Sequence, residues 1–448
     1  MPAKHRRPSQ HKPTQTLPSI DTPVEILRYS DECRGIATLK GKTVFVRNAL
    51  LGETVHLRLE VTHKRFDEAD TMDVVHKSED RVEPVCRHYG QCGGCDLQHL
   101  NPTKAPLIKQ ELVLGMLKRT AQVTPEQIDP PINSTPTGYR RSARIGINQR
   151  QRGGALLTGF RRRQSAKLLN IDACPVLDTR LDHLFNSLHE QLGDLDGVKH
   201  ITEVQVTLGD ESGSLKFRVT KPITAAMKQA FIEVADRLKL TAWVEDSSGQ
   251  ISPLSNSSDL SFRPDSSTLL SFKPGDFLQV NADVNRQMIA RAKAWLAPRK
   301  DETLLDLFCG LGNFSLPLAR HYHQVIGVEG SAEMVTRATF NAEQNHLENA
   351  CFYCADLSQP IKETAWYRQH NPEVILLDPP RTGAAELIPQ LLMLKPKKIL
   401  YIACNPSALA RDSKVLIEAG FKLTRFSVLD MFPNTAHIES MALFEAKK

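Results

Sequence analysis

The sequence lacks any apolar run long enough to cross a membrane, and its first residues lack the apolar core of a signal peptide. We therefore expect a cytoplasmic protein that does not bind membranes. Cysteine is scarce as well, at nine in 448 residues, which excludes a small disulfide-stabilised scaffold. In a reducing compartment, clustered cysteines indicate metal ligands or catalytic groups. The sequence has no feature that indicates an oligomer, and a monomer is expected.

Acidic residues are absent from one long stretch. Between Gly138 and Leu168 there are nine Lys or Arg residues and no Asp or Glu. The whole chain carries a net charge of +6, with 57 basic and 51 acidic residues, so this stretch alone accounts for the excess. Positive charge concentrated in one segment indicates a polyanionic partner.

The basic stretch alternates as a β-hairpin does, with a turn from Gln149 to Gly154. Arginine binds RNA phosphates and also stacks on unpaired bases. A solvated surface is the alternative, although such a surface usually mixes in acidic residues. We therefore predict an RNA-binding hairpin. Its arginines are Arg140, Arg141, Arg144, Arg150, Arg152, Arg161, Arg162 and Arg163.

Two segments precede this hairpin at the N-terminal end. Residues 1–19 are basic without apolar periodicity, which predicts a disordered tail that contacts phosphates or is simply solvated. Residues 20–80 hold short alternating runs, typical of a small β-barrel. The runs starting at Gly35, Gly41 and Leu51 resemble a TRAM domain, an OB-like RNA-binding module. An SH3-like structural module is the alternative.

The next segment, residues 81–270, contains mixed α/β patterns and a cysteine cluster. Cys86, Cys92 and Cys95 lie within ten residues, and two glycines between the last two let the backbone fold round a metal group. Cys174 follows far downstream. This spacing leaves both zinc and an iron–sulfur cluster open, but it is not the Cys-x3-Cys-x2-Cys spacing of radical enzymes.

The last segment, residues 271–448, alternates between strand and helix patterns, which predicts a parallel sheet with its ligand at the carboxyl ends of the strands. The turn after the first strand is not Gly-x-Gly-x-x-Gly, so a dinucleotide is disfavoured. Acids at strand ends instead fit S-adenosylmethionine: Glu329 for the ribose, Asp356 for adenine and Asp378 beside the sulfonium. Caps and loop anchors are the alternative. Cys351 and Cys354 are expected in the core.

Cys404 ends the apolar strand that follows Asp378. A lone cysteine is usually a small buried hydrophobe. In the usual methyltransferase topology, however, the last strand is antiparallel and begins beside the end of this strand. Glu439 would then face Cys404, next to the methyl donor. The sequence therefore predicts a thiol and a carboxylate at one reactive site.

These two residue types suit methylation at C5 of uracil, which is a poor nucleophile. A thiolate that adds at C6 makes C5 reactive, and a base then removes the C5 proton so that the thiol can leave. Cys404 is the predicted nucleophile and Glu439 the predicted base. Arg381 or the Asn405 amide is expected to steady the substrate.

The C-terminal segment resembles the RNA 5-methyluridine methyltransferase family. The matching pieces run from Phe277 to Asn281, Asp306 to Phe314, Asp378 to Gly383, Cys404 to Pro406 and His437 to Glu439. The resemblance implies a Rossmann-like class I methyltransferase domain. It also implies that the donor is held by Gln279, Phe308, Asn313, Glu329, Asp356 and Asp378.

The resemblance further implies a [4Fe-4S] cluster on Cys86, Cys92, Cys95 and Cys174. A TRAM domain and a cluster in one chain resemble the branch of the family that acts on uridine 1939 of 23S rRNA. The expected protein is thus multidomain: a basic tail (1–19), a TRAM domain (20–80), a middle α/β domain with cluster and hairpin (81–270) and the methyltransferase domain (271–448).

Two other functions are open to the same sequence. An amino-methyltransferase would use Asp378-Pro-Pro, but those enzymes usually have an aromatic residue where Arg381 stands and do not need Cys404. A non-enzymatic ribosome-assembly factor would bind RNA through the basic segments. The strand-end acids, together with Cys404 and Glu439, argue against a sheet that has lost its activity.

Overall fold

The structure is a computed structural model that describes residues 19–149, 154–255 and 259–447. Contacts between Cα atoms divide the chain into two units, Met1–Val82 and Glu83–Lys448. Nearly all of the predicted basic tail lies outside the described residues, as do Arg150 and Arg152 of the predicted hairpin turn. No helix in the described ranges is both long and apolar enough to cross a membrane.

The first unit is built from strands, as the alternating runs predicted. They are β1 (Ser19–Glu25), β2 (Arg28–Tyr29), β3 (Gly35–Leu39), β4 (Lys42–Arg47), β5 (Thr54–Thr62) and β6 (Phe66–His76). They form one sheet in the order β1-β5-β6-β4-β3-β2, in which only the β4–β6 pair is parallel. Val44, Val46, Val55 and Leu57 alternate along β4 and β5 and are fully buried, so one face of the sheet forms the core.

The second unit begins with α1 (Ala105–Thr120) and β7 (Gln127–Ile128) and continues into a seven-stranded sheet. The elements of this region are β8 (Ser142–Gln149), β9 (Leu156–Arg161), β10 (Leu168–Asn170), α2 (Leu184–Leu192), β11 (Ile201–Leu208), β12 (Gly213–Val219), α3 (Ala225–Arg237), β13 (Thr241–Glu245) and β14 (Ile251–Pro253). The strand order is β10-β9-β8-β11-β12-β13-β14. Phe217 of β12 stacks on Phe231 of α3 with 4.0 Å between ring centroids, so α3 covers one face of the sheet.

The C-terminal region contains a small pair of strands and then a large sheet flanked by helices. Its elements are β15 (Ser261–Phe262), β16 (Leu270–Ser271), α4 (Ala282–Leu296), β17 (Thr303–Leu307), α5 (Ser315–Ala319), β18 (Gln324–Glu329), α6 (Ala332–Gln344), β19 (Ala350–Cys354), α7 (Ala365–Gln369), β20 (Val374–Leu377), α8 (Ile388–Leu392), β21 (Lys398–Ala403), α9 (Pro406–Glu418), β22 (Phe421–Leu429) and β23 (Glu439–Ala446). The large sheet has the order β19-β18-β17-β20-β21-β23-β22-β7.

The five strands β17 to β21 are parallel, as the alternating strand and helix patterns predicted. Every residue of β20 is fully buried, as expected for a central parallel strand that is covered on both faces. Parallel strands end at one edge of the sheet, and the loops there are the usual place for a ligand. Strand β23 is antiparallel to β21, so it begins at that same edge.

Two elements of the predicted middle domain pack on the sheet of the predicted methyltransferase domain. Strand β7 pairs with β22 as the eighth strand, and α1 packs against α9 and β22. The Nζ of Lys109 in α1 lies 2.7 Å from the Oδ1 of Asp430, and both side chains are buried. The sequence patterns of residues 81–270 did not predict this partner of α1. The domain boundary predicted at residue 271 therefore stays a prediction. The contacts of α1 and β7 join residues on both sides of it.

We expect Lys109→Ala to lower the free energy of unfolding by about 3 kcal/mol, because it leaves the buried Asp430 carboxylate without its partner. Chemical denaturation of the second unit measures this loss. Lys118→Ala, which removes an exposed lysine of the same helix, is the control and should cost less than about 1 kcal/mol. Equal losses in the two variants would contradict a stabilising role for the buried ion pair.

Candidate active site

Cys404 lies between the end of β21 and the start of α9. Asn405 caps this helix, because its Oδ1 accepts a hydrogen bond from the backbone N–H of Ser407 at 3.1 Å. The Asn405 side-chain amide also donates to the carbonyl oxygen of Arg381 at 2.8 Å. The half-buried thiol is therefore held at the carboxyl edge of the sheet by a fixed strand and a fixed helix start.

Glu439 is the first residue of β23 and is almost fully buried. In the antiparallel ladder Ser440 pairs with Ala403, so Glu439 lies at the Cys404 end of β21. Its Oε2 is buried and has no hydrogen-bond partner among the described residues. Burial and, to a smaller extent, the charge of Asp378 raise the pKa of Glu439 to about 8. In the free protein the carboxyl group is therefore mainly protonated at neutral pH.

Asp378 completes a group of three acidic side chains with Cys404 and Glu439. Burial raises the pKa of Asp378 to about 7. The pKa of the Cys404 thiol is raised by burial first and then by the charges of Glu439 and Asp378, while Arg381 opposes that rise. Negative charge on any one of the three makes the others harder to ionise. A positively charged ligand is favoured at such a place.

The positive charge of Arg381 acts on the Cys404 thiol, and its guanidinium also contacts His437. Its Nη2 lies 3.2 Å from the Nδ1 of His437. Burial and then the charge of Arg381 lower the pKa of His437, which favours a neutral imidazole that accepts this hydrogen bond. No role was predicted for His437 from the sequence. Its position two residues before Glu439 could have indicated that it lies near the site.

The loop that carries Asp378 is fixed from α9. The Oδ2 of the buried Asp412 accepts hydrogen bonds from the Tyr401 hydroxyl and the Ala384 backbone N–H, both at 2.7 Å. At Gly383 the φ angle is +77°, and a Cβ would lie only 2.6 Å from the same Oδ2. The loop therefore requires glycine there. Sequence reasoning missed Asp412, because an acid within a helix usually faces solvent.

Four of the six residues expected to bind the donor line one pocket. They are Gln279, Phe308, Asn313 and Asp378. The cavity measures about 60 Å³, well below the roughly 300–1,000 Å³ of most ligand pockets. A nucleoside-sized ligand must therefore extend beyond this cavity to the surface, where the lining residue Phe277 is 70% exposed.

Glu329 ends β18 beside the glycine turn that lines this pocket. Its Oε2 accepts from the backbone N–H of Gly310 at 3.2 Å, and its Oε1 accepts from that of Ser331 at 3.0 Å. At Gly312 the φ angle is +93°, and a Cβ would meet the Leu316 side chain at 2.9 Å. The turn thus needs glycine, and Glu329 is fixed at its edge.

Asp356 is not among the residues that line the pocket. It is exposed beyond the end of β19, and its Oδ1 accepts from the backbone N–H of Ser358 at 3.0 Å. The expectation that Cys354 is a core residue is wrong, because its side chain is exposed. Strand β19 is the edge strand of the sheet, and an edge strand leaves part of its surface open to solvent. Cys351, in the same strand, is only partly buried.

The four cysteines expected to bind a metal group line one cavity of about 720 Å³. They are Cys86, Cys92, Cys95 and Cys174, and none forms a disulfide. Burial is the main cause that raises the pKa of Cys95 to about 12, and the other three thiols add to it, so the four lie close enough to interact. Within the described ranges, no three or more metal-binding side chains are grouped to hold a metal ion.

The hairpin prediction is confirmed for the strands and wrong for two of the arginines. Arg141 is only 3% exposed, and its Nε donates to the carbonyl oxygen of Gln279 at 2.8 Å. The Nη2 of Arg163 donates to the carbonyl oxygen of Cys95 at 3.0 Å. Charge counting alone could not separate these two arginines, which bond to backbone carbonyls, from fully exposed arginines. Arg144, Arg161 and Arg162 remain exposed and available to a partner.

Comparison with known proteins identifies relatives over the whole chain. The family described as tRNA (Uracil-5-)-methyltransferase matches residues 264–447. A protein of Psychromonas ingrahamii named 23S rRNA (uracil(1939)-C(5))-methyltransferase RlmD is 40% identical, over 94% of this chain and 95% of that protein. A protein of the same name from Pseudomonas fluorescens Pf-5 is also 40% identical, over 99% of this chain and 100% of that protein.

A solved structure shares the fold. The tRNA (uracil-54, C5)-methyltransferase of Pyrococcus abyssi, in complex with S-adenosyl-L-homocysteine, has a TM-score of 0.73 and 23% sequence identity. The match covers 94% of this chain and 99% of that chain. At this level of identity the likeness shows the fold alone.

We expect Glu439→Gln to stabilise the protein at alkaline pH. The carboxyl group has a pKa of about 8 when folded against 4.5 as the ordinary value, so the folded state holds its proton longer, and stability is lost as pH rises between those values. The variant avoids this loss and should gain on the order of 2 kcal/mol over wild type at pH 8.5, but little at pH 5. Urea unfolding at both pH values measures the difference. Glu418→Gln, at an exposed carboxylate of α9, should show no such gain; a similar gain there would contradict the assignment.

Proposed function

This chain belongs to the RlmD family of 23S rRNA (uracil-C5)-methyltransferases, and from that premise we propose how its residues carry out the reaction. It transfers a methyl group from S-adenosylmethionine to C5 of a uridine in 23S rRNA. We propose uridine 1939, the position that the names of its relatives specify. One observation supports the proposed mechanism most directly. Cys404 and Glu439 lie at neighbouring ends of β21 and β23, beside Asp378.

Cys404 starts the reaction. Its thiolate forms a bond to C6 of the uracil, and the electron pair of the C5–C6 double bond moves to give an enolate that is nucleophilic at C5. Bound S-adenosylmethionine supplies an electrophilic methyl group on a sulfonium. Arg381 lowers the pKa of the thiol, and its guanidinium also suits the developing negative charge on the uracil oxygen.

Glu439 finishes the reaction. Its carboxylate takes the proton from the methylated C5, the electron pair of that C–H bond restores the C5–C6 double bond, and the C6–sulfur bond breaks to release Cys404. The base must be ionised to do this, although burial holds its pKa near 8 in the free protein. Loss of the carboxyl proton is therefore part of the preparation of the site.

The donor is held at the carboxyl ends of the first four parallel strands. Gln279, Phe308, Asn313 and Asp378 share one pocket, and Glu329 lies at the adjoining glycine turn, where it suits the ribose hydroxyls. Asp356 follows the next strand and is exposed, so it is free to accept from an adenine edge that lies along the open cleft.

RNA is recognised by two parts of the chain. We assign the all-β first unit as a TRAM domain, on the basis of its sequence runs and its single sheet. Arg144, Arg161 and Arg162 of the hairpin supply exposed charge for phosphates. The target base must leave its stack to reach Cys404, so the bound segment of 23S rRNA is single-stranded or remodelled. The protein acts in the cytoplasm, where ribosomal RNA is found, and a monomer remains the expectation.

The cysteines Cys86, Cys92, Cys95 and Cys174 hold a [4Fe-4S] cluster in this proposal. This assignment is supported by two observations: the four thiols line one cavity, and none of them forms a disulfide. A cubane cluster takes one thiolate per iron, which matches thiols that surround a space. The group is structural, since it joins the loop of Cys86 to Cys95 with the distant Cys174.

RNA that carries 5-fluorouridine at the target position should trap the protein as a covalent adduct, because a fluorine at C5 cannot be removed as a proton. We expect the adduct with wild type and none with Cys404→Ala, as measured by denaturing gel electrophoresis. Glu439→Gln should accumulate the adduct with ordinary RNA. Cys354→Ala, at the exposed cysteine of the same domain, should trap as wild type does. Methyl transfer by Cys404→Ala would end the nucleophile assignment.

Protein purified without oxygen should be brown and contain iron and inorganic sulfide in a ratio near one. Cys95→Ser should reduce both by at least about half, because it removes one of four proposed thiolate ligands. Cys351→Ser is the control and should leave them unchanged. Iron and sulfide are measured chemically; zinc without sulfide in the wild type would overturn the cluster assignment.

A further inference from the structure

The loop of residues 430–438 joins β22 to β23 and leads directly into Glu439. We refer to it as the base loop. Inside the loop, the Thr435 hydroxyl donates to the carbonyl oxygen of Phe432 at 2.9 Å and accepts from the backbone N–H of His437 at 3.2 Å. These bonds give the loop a defined form but do not fix it to the rest of the protein.

Most of the bonds that fix the base loop come from the stretch between the cysteine cluster and β8. The Tyr139 hydroxyl donates to the carbonyl oxygen of Pro433 at 2.9 Å. The Asn434 side-chain amide donates to the carbonyl oxygen of Pro136 at 2.6 Å. Lys109 pairs with Asp430 at the start of the loop. The position of Glu439 therefore depends on a distant part of the chain.

The closest of these anchors to the cysteines is formed by Asp96 and Leu97. Their backbone N–H groups both donate to the carbonyl oxygen of Asn434, at 2.8 and 2.9 Å. The Asp96 carboxylate also accepts from the backbone N–H of Ala436 at 3.5 Å. The Asn434 carbonyl thus accepts two hydrogen bonds, and the N–H of Ala436, two residues later, donates a third. Together these bonds fix the position of the middle of the base loop.

Asp96 is itself held in place. The Tyr89 hydroxyl donates to its carbonyl oxygen at 2.6 Å, and the Nη2 of Arg163 lies 3.4 Å from its Oδ1. It directly follows Cys95, which is one of the proposed cluster ligands. Whatever fixes the Cys95 thiol therefore also fixes the segment that holds the base loop.

We propose that the side-chain carboxylate of Asp96 positions Glu439 through its bond to the backbone N–H of Ala436. This inference rests on the proposed function and assigns a task within it: Asp96 holds the base loop so that the carboxylate reaches the C5 proton. Cys404 does not depend on this anchor, because β21, α9 and Asn405 hold it from the other side. Loss of the Asp96 carboxylate should therefore slow removal of the proton and leave the addition of the thiol intact.

The test measures the covalent intermediate as well as turnover. With ordinary target RNA, Asp96→Ala should lower kcat about tenfold, because a small displacement of a catalytic group has effects of this size. The KM for RNA should stay unchanged, and the fraction of protein held in the covalent adduct should rise at least threefold. Addition to 5-fluorouridine RNA should proceed at the wild-type rate.

Two further variants separate positioning from folding. Asp96→Asn keeps an oxygen acceptor for the Ala436 N–H and should restore most of kcat. Asp172→Ala is the matched control, because Asp172 lies two residues from Cys174, another proposed cluster ligand, but binds Arg87 and His88 instead of the base loop. It should show the wild-type adduct fraction. Iron and sulfide are measured in every variant, and equal contents show that the cluster is retained.

The outcomes distinguish this inference from the function on which it rests. An Asp96→Ala variant with wild-type kcat and adduct fraction overturns the positioning role alone. An Asp96→Ala variant that loses both adduct formation and RNA affinity at normal iron content also overturns the positioning role, since that result indicates a general structural defect. A wild type that forms no adduct with 5-fluorouridine RNA overturns both the proposed mechanism and this inference.

Discussion

The antiparallel register of β21 and β23 is the constraint on which the site depends. Glu439 is the first residue of β23, and Cys404 directly follows β21. The register therefore brings the two residues together at one edge of the sheet. Burial at that edge then raises the pKa of both groups, together with that of Asp378. The same packing that creates the site thus suppresses its negative charge in the free protein, and binding of a cationic methyl donor would favour ionisation of these groups.

The base loop extends this dependence beyond the sheet. Residues near the cysteine cluster fix the loop before Glu439, while the strand and helix around Cys404 belong to the methyltransferase domain. Cys404 and Glu439 are therefore positioned by different parts of the chain. The proposed cluster would influence the reaction through this segment, because the stretch that follows Cys95 holds the base loop.

The sequence was sufficient where a local rule determines structure. Apolar runs located the parallel strands, and the end of such a run located Cys404 and Asp378. It was insufficient where the partner of a segment decides its role. Charge alone did not show that Arg141 and Arg163 bond to backbone carbonyls, and strand order was needed to see that Cys354 lies at an edge. The contacts of α1 and β7 with the last strands are likewise a property of the whole fold.

The pairing of α1 with the C-terminal loop also sets an order of events in time. Lys109 and Asp430 are 321 residues apart in the chain, and Tyr139 and Pro433 are 294 apart. A ribosome adds about 5–20 residues per second, so α1 waits roughly 15–60 s for its partner to be made. During that interval its apolar face has no native cover. The second unit therefore contains contacts between residues far apart in the chain, and it can complete its folding only after its last strands have been synthesised.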